Sequence, residues 1–367
     1  MNASATVKLA GSGKTFTARA GETILAAALR QGIVLPYSCR NGTCASCHAT
    51  LVHGVVEYPY QPPAALDAGE IGRGQVLLCQ AVASGDVVIE AREIEAVRDI
   101  PIRILPARVS EKHLLSPSVV QLRLTLPKGM RMQFLAGQYI DILTGDGLAG
   151  KGRRRAFSLA SPPHQEAFLE LHIRYVDGGD FTEYVFHRLA ERDILRFQGP
   201  LGTFFIRDDS RRPILMLGGG TGFAPLKAMV EHLLHCGSTR PIHLYWGARN
   251  RAELYLDALP RRWAAENAFF KYTPVLSDPE PDERWTGRSG WVHEALLADY
   301  PDPAGYDIYM SGPPAMIDVA RHRFQTAGHP EDRLFYDSFD FSADTPAGGG
   351  KAAAGGTAGS NGGSPRS

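Results

Sequence analysis

The sequence predicts a multidomain α+β and α/β protein: a small α+β unit, then an antiparallel β-barrel, then a doubly wound parallel sheet. Three observations carry that expectation. Residues 4–92 combine hairpin patterning with one short helix, residues 102–210 hold short β-like runs separated by turns, and residues 211–340 alternate strand with helix. Short strands at regular spacing argue for a small barrel. Strand–helix alternation argues for a parallel sheet covered by helices.

The 367 residues fit two or three domains on a prior of about 150 residues each. With 39 basic and 39 acidic side chains the formal charge is zero, which leaves no electrostatic footprint for nucleic acid or an anionic membrane. No apolar run reaches bilayer-spanning length. The start, "MNASATVKLAGSGKTF", lacks the apolar core of a signal peptide. A soluble, cytoplasmic protein in a reducing compartment is expected. Residues 343–367 are Gly/Ala/Ser-rich with little to bury, so the tail is expected to be disordered.

In the first unit, apolar alternation on both sides of "AGSGKT" predicts a β-hairpin, and "ETILAAALRQGI" a short helix. "GSGKT" imitates a phosphate-binding loop, but that motif needs a glycine five residues before Gly13, where Lys8 stands. It is a hairpin turn, and "GRGQ" at 72–75 is a turn before the strand that carries Cys79.

The stretch "YSCRNGTCASC" brings Cys39, Cys44 and Cys47 together in a chain with five cysteines. A disulfide framework suits short, cysteine-dense secreted chains. Zinc usually takes paired CxxC units or histidines at ligand spacing. His48 follows the last thiol, so ligand type alone leaves zinc open. The spacing C-x4-C-x2-C with a distant fourth cysteine, Cys79, is that of a plant-type [2Fe–2S] cluster. A cluster held by four thiolates is anionic and draws backbone N–H groups. Gly42, Thr43, Ala45 and Ser46 are small enough to let the loop wrap it, and Gly42 can take φ > 0. Cys236, in "EHLLHCGSTR", is expected to be a buried small hydrophobe and no ligand.

Residues 93–102 form a short charged connection. The barrel follows in "IRILPARVSEK", "VVQLRLTLP", "GQYIDILTG", "RRAFSLASPP" and "FLELHIRYV", then the helix "DFTEYVFHRLA" and the strand-like "DILRFQGPLGTFFI". Within "RRRAFSLASPP", Arg155 and Phe157 share one strand face and Ser158 the other. Such a trio can bind a flavin phosphate, cover its ring and hydrogen-bond it. It can equally be a basic edge strand with a core Phe. Thr182 near the start of the next helix is either a pyrophosphate contact or a plain cap.

In the last unit "PILMLGGGTGFAPLKAM" sets glycines after a strand and before a helix. There a pyrophosphate can lie on the helix N-terminus, although the G-x-G-x-x-G fingerprint is not met and a ligand-free turn remains open. "YMSGPPAMIDVA" turns from strand to helix through Ser311, Gly312, Pro313 and Pro314, at the strand end where open α/β sheets bind ligands. "LFYDSFDF" closes the patterned chain with aromatics.

Together these stretches resemble the ferredoxin–NADP reductase superfamily with an N-terminal plant-type ferredoxin domain, as in the reductase components of methane monooxygenase, phenol hydroxylase and benzoate dioxygenase. The resemblance reaches to about residue 340. It implies a β-grasp ferredoxin domain at 4–92, an FAD-binding barrel at 102–210 and an NAD(P)-binding domain at 211–340. The family's R-x-Y-S reads Arg155-Ala156-Phe157-Ser158 here, without the tyrosine hydroxyl, and its C-G-P-P begins at Ser311 in place of cysteine. Carried over position by position, it implies FAD contacts from Arg155, Phe157, Ser158 and Thr182, and cofactor contacts from Leu159, His172, Arg174, Gly179 and Phe181. Nicotinamide contacts would come from Gly219, Gly220, Thr221, Gly222, Arg249, Gly312 and Pro313. Ser158, Ser311 and Phe339 would lie nearest the chemistry, and Cys39, Cys44, Cys47 and Cys79 would hold the cluster.

Within that family "FLAGQYIDI", "GPLGTFF" and "YWGARNRAELYLD" are most similar to the CDP-6-deoxy-Δ-3,4-glucoseen reductases. This implies electron flow from NADH or NADPH through FAD and the cluster to a pyridoxamine-dependent dehydratase of 3,6-dideoxysugar synthesis. The alternative acceptor is an oxygenase component. Nicotinamide yields electrons in pairs and a [2Fe–2S] cluster takes one, so a flavin must stand between them. Arg249 and Arg251 with Glu253 give mixed signals on the 2′-position of the ribose. The resemblance favours NADH with tolerance of NADPH.

Overall fold

Alternating burial sets the first strand. In β1 (Ala5–Leu9) residues 5, 7 and 9 are buried, and β2 (Thr15–Ala18) pairs with it antiparallel through the expected hairpin. The structure is a computed structural model that describes residues 4–60, 63–145, 153–281 and 284–339; the expected disordered tail lies outside the described residues. Helix α1 (Ile24–Arg30) opens on Thr23, whose hydroxyl accepts from the Ala26 amide at 3.3 Å, and buries Ile24, Leu25, Ala27 and Ala28 on the sheet. The unit continues through β3 (His48–His53), β4 (Val56–Glu57), α2 (Ala68–Gly72), β5 (Gln75–Leu77), β6 (Val82–Ala83) and β7 (Val87–Glu90). Its main sheet has the order β2-β1-β7-β3-β5, in which β1 and β7 run parallel. Cys79 departs from expectation. The strand ends at Leu77, and the thiol lies in the turn beyond it, pinned where Leu78 bonds Cys47 and Leu25.

The connection is charged but not loose: Ile94, Val97 and Ile100 are buried against Phe205. The second sheet is assembled from β8 (Arg103–Ser116), β9 (Val119–Thr125), β10 (Tyr139–Thr144), β11 (Arg153–Ser158), β12 (Leu169–Arg174) and β13 (Ile194–Leu201), with α3 (Asp180–His187) between the last two. Every pairing is antiparallel in the order β11-β10-β13-β8-β9-β12, and a bridge from Leu159 to Leu171 closes the ends into a barrel. Leu122, Ile140, Ile142, Leu171 and Phe197 fill it.

The third sheet is wholly parallel in the order β17-β16-β15-β14-β18-β19: β14 (Ile214–Gly219), β15 (Ile242–Ala248), β16 (Phe270–Leu276), β17 (Arg288–Ser289), β18 (Asp307–Gly312) and β19 (Leu334–Ser338). Buried on both faces, β14 reads as a continuous apolar run, while β18 sets Ile308, Tyr309 and Met310 between buried Asp307 and Ser311. Helices α4 (Phe223–His235), α5 (Ala258–Glu266), α6 (Val292–Asp299) and α7 (Pro314–Thr326) cover it. Cys236 contradicts its expectation. It is the C-cap of α4 and is exposed, because the buried stripe of the helix ends at Leu233.

Polar joints hold the three units together. The Tyr37 amide donates to Thr203 Oγ1 at 2.9 Å, and Tyr139 Oη donates to the Ser38 carbonyl at 2.7 Å. Buried Lys227 of α4 donates to the Ala160 carbonyl at 3.0 Å and lies 3.2 Å from Glu170 of β12.

Candidate functional site

The loop from Ser38 to Cys47 cannot run in ordinary backbone. Arg40, Gly42 and Ala45 all take positive φ, and a Cβ on Gly42 would fall 2.8 Å from the Gln80 side chain. The reward is a set of donors on sulfur: the Cys39 amide lies 3.5 Å from Cys44 Sγ, and the Asn41 amide and Thr43 hydroxyl lie 3.5 and 3.6 Å from Cys39 Sγ. Four free thiols converge in two hydrogen-bonded pairs, Cys39 with Cys44 and Cys47 with Cys79. In each pair the hydrogen bond from the donor lowers the acceptor's pKa, that of Cys39 to about 5 and that of Cys79 below the usual thiol value, while the donor's is pushed up by the same bond and by burial. Two pairs of cysteines suit a binuclear cluster, each iron of which would take two thiolate ligands.

Beside this loop opens a cleft of about 1100 Å³ walled by all three units: Cys39 and Arg40 from the first, β11 and the start of α3 from the second, and the Gly219–Thr221 turn, Pro313 and Phe339 from the third. The cleft brings together most of the residues expected to bind cofactor: Arg155, Phe157, Ser158, His172, Arg174, Gly179, Phe181, Thr182, Gly219, Gly220, Thr221, Arg249, Pro313 and Phe339 line it. Leu159, Gly222, Ser311 and Gly312 do not. Leu159 is wholly buried in the barrel core. Ser311 is wholly buried behind the glycine turn, its Oγ among the buried atoms with no partner. Gly222 is where turn and strand interlock, since a Cβ there would lie 1.9 Å from the Ser311 carbonyl oxygen. Gly312, at φ 152°, accepts from the Phe339 amide at 2.9 Å, which seats that ring on the wall.

The walls fit a flavin dinucleotide and a nicotinamide dinucleotide. The Phe157 ring packs at 5.5 Å from Phe181 of α3, a helix whose N-cap is Gly179 with no side-chain cap. Arg174 Nη2 and Ser338 Oγ are buried wall atoms without a partner, and such groups cost free energy unless a ligand satisfies them. Arg174 lies against Gly220, whose added Cβ would meet Nη2 at 3.0 Å. Two expected contacts are already engaged within the protein. Thr182 Oγ1 donates to the Val176 and Gly179 carbonyls at 3.1 and 3.0 Å, so its hydroxyl holds the loop before α3. His172 places one ring nitrogen 3.1 Å from Tyr255 Oη and the other 3.0 Å from Glu170, leaving only its ring face. Burial lowers the His172 pKa. Burial also opposes the Glu170 charge, but the His172 bond and Lys227 hold that carboxyl well below the usual carboxylate range.

Three wall residues escaped sequence reasoning. Trp291, the residue before α6, is 62% exposed and lines the third-unit side of the cleft. Arg40 is bonded to the buried Asp141 of β10. Asp337 accepts from the Ser38 hydroxyl and, at 3.0 Å, from Ser158 Oγ. Burial pushes its carboxyl up to about 6 against those two bonds. Of these only Trp291, an aromatic after Gly290 at a strand end, left a signal; the other two depend on pairings far apart in the chain.

Three family models match in chain order: a 2Fe-2S iron-sulfur cluster binding domain over residues 7–84, an oxidoreductase FAD-binding domain over 106–206 and an oxidoreductase NAD-binding domain over 216–322. The chain is 37% identical over 333 residues to the CDP-6-deoxy-L-threo-D-glycero-4-hexulose-3-dehydrase reductase of Yersinia pestis, covering 91% of this chain and 98% of that protein. It is 37% identical over 342 residues to the phenol 2-monooxygenase reductase component DmpP of Pseudomonas, covering 92% and 95%. Among solved structures, the Amycolatopsis cytochrome P450 reductase GcoB superposes with a TM-score of 0.72 at 32% identity, over 91% of this chain and 98% of that one.

Proposed function

This chain belongs to the family of NAD(P)H-dependent flavoprotein reductases that carry a [2Fe–2S] domain, and we propose that its electron acceptor is a CDP-hexulose dehydrase of 3,6-dideoxysugar synthesis. It is an FAD- and [2Fe–2S]-dependent oxidoreductase. One observation carries the choice of acceptor: the similarity to the Yersinia reductase runs through 98% of that protein, all three units included. An oxygenase component is the second reading, favoured by equal identity to the phenol 2-monooxygenase reductase and by the fold match to the P450 reductase. The five free thiols accord with a cytoplasmic, reducing location, which is part of the proposal.

The geometry supports a role for each wall. Cys39 with Cys44 and Cys47 with Cys79 hold the cluster, and the Asn41 amide and Thr43 hydroxyl stabilise its charge. FAD, when bound, takes electrons in pairs and releases them singly. Phe157, packed on Phe181, backs its ring, and Arg155 and the first turn of α3 face its phosphates. The Gly219–Thr221 turn and Arg174 receive the nicotinamide dinucleotide's pyrophosphate. Pro313 and Phe339 enclose its reactive ring, while Ser311 acts only by shaping the turn from behind. Arg249 is already paired with Glu253 at 2.9 Å, and Arg174 approaches the same carboxylate at 3.3 Å. Glu253 lines the cleft, and its carboxylate would hydrogen-bond a ribose 2′-hydroxyl and repel a 2′-phosphate, which supports NADH as the better substrate.

The test is reconstitution. NADH, the purified reductase and a pyridoxamine-dependent CDP-hexulose dehydrase should yield the deoxygenated sugar. Failure there, with efficient support of a phenol hydroxylase oxygenase, would replace the first acceptor by the second.

A further inference from the structure

Residues 37–41 surround the first cluster thiol, yet several of their hydrogen bonds run to other units. Tyr37 exchanges bonds with Thr203 at 2.9 and 3.1 Å, the Ser38 carbonyl accepts from Tyr139 at 2.7 Å, and Arg40 is bonded to Asp141. The Ser38 hydroxyl reaches further, to Asp337 on β19 of the third sheet. The other oxygen of that carboxylate takes Ser158 Oγ, at the end of the candidate flavin strand, at 3.0 Å. One side chain thus joins three units, and Ser38, Ser158 and Asp337 are only 4%, 8% and 5% exposed.

We propose that Asp337 is a positioning residue that locks the cluster loop onto the flavin strand, so that the two redox sites keep one fixed separation through turnover. The inference rests on the functional reading above. Apolar contacts already dock the first unit on the barrel: Ile94, Val97 and Ile100 pack with Phe205, and Val34 and Leu135 join them. Apolar packing is non-directional and tolerates small slides. Hydrogen bonds to a buried carboxylate are short, charge-assisted and directional, and a buried network with every member satisfied specifies one arrangement. Asp337 supplies that direction where the cluster loop meets the flavin strand. Ser38 serves the cluster limb alone, because without its hydroxyl Asp337 still holds Ser158.

The experiment uses full-length holoprotein: wild type, Ser38→Ala, Asp337→Ala, Asp337→Asn and the Ser38→Ala/Asp337→Ala double variant, each with wild-type FAD and iron content. Anaerobic mixing with NADH is followed in the flavin and cluster bands separately. Ser38→Ala should leave flavin bleaching within about twofold of wild type and slow cluster bleaching about tenfold. Asp337→Ala should slow cluster bleaching as much. The double variant should be no slower than the worse single one, since both remove the same bond. Asp337→Asn, which keeps one acceptor, should fall between. Independently of turnover, hydrogen–deuterium exchange in residues 37–41 of the oxidised protein should rise in Ser38→Ala and Asp337→Ala. Wild-type cluster bleaching in both single variants, additive slowing in the double variant, or unchanged exchange would each overturn the inference. A wild type whose cluster does not bleach at all would instead overturn the functional reading, and this inference with it.

Discussion

All four candidate cluster ligands come from residues 39–79 of one unit, whereas the cleft beside them takes its walls from three sheets that are far apart in the chain. The first site is nearly complete in a local loop: spacing brings the sulfurs together, positive φ at Arg40, Gly42 and Ala45 turns the backbone, and amides point at sulfur. The second exists only after three units have folded and docked. A site built locally fails all at once when a ligand is lost. A site built by docking fails by degrees, one wall at a time.

The largest expected effect breaks the first site alone. Cys79→Ala should abolish cluster absorbance and bring bound iron close to zero while FAD stays at wild-type content, because the barrel has its own core. Cys236→Ala, at an exposed helix end, should change neither. Full iron content in Cys79→Ala would refute the ligand set.

Next comes the interlock of the cleft's third wall. In Gly222→Ala the new methyl would lie 1.9 Å from the Ser311 carbonyl oxygen, and backbone cannot yield as a flexible side chain can. The cost should reach about 3 kcal/mol, the top of the usual overpacking range. It should appear as a lowered melting temperature together with weakened NADH binding. Unchanged melting and NADH affinity would show that the turn is softer than this interlock requires.

Arg155→Ala should cost about 1.5–3 kcal/mol of FAD affinity through loss of a charge-assisted hydrogen bond, with iron content unaffected. Retention of FAD through dilute gel filtration would remove Arg155 from the flavin wall. The smallest effect is on cofactor choice. Glu253→Ala unpairs the largely exposed Arg249 and the more sheltered Arg174, and pairs that solvent reaches are worth little. The ratio of kcat/KM for NADPH over NADH should therefore rise by no more than about tenfold, or about 1.4 kcal/mol. A ratio that falls would show that the arginines do not face the 2′-position.

The same contrast explains what the sequence discloses. Cys39, Cys44 and Cys47 stand out by their local spacing, with Cys79 as the distant fourth cysteine that spacing requires, and β14 because double burial makes it a continuous apolar run. Arg155-Ala156-Phe157-Ser158 reads as an ordinary basic strand until Phe181 is brought against it. Ser311 looks catalytic at the end of a strand, yet the fold turns it behind Gly222. The apolar pattern suggests burial for Cys236, but the helix end leaves it in solvent. Asp337 is invisible among the aromatics of "LFYDSFDF", because both hydroxyls that it holds come from other units.

The most direct test of the central claim, that electrons from nicotinamide reach the cluster only by way of the flavin, is one anaerobic comparison. NADH is mixed with holoprotein and with the same protein stripped of FAD, and the cluster bands are followed in each. The account predicts that the cluster bleaches in the holoprotein, after the flavin, and stays oxidised in the stripped protein until FAD is restored. Bleaching at the same rate without FAD, or an oxidised cluster beside a fully bleached flavin in the holoprotein, would contradict it.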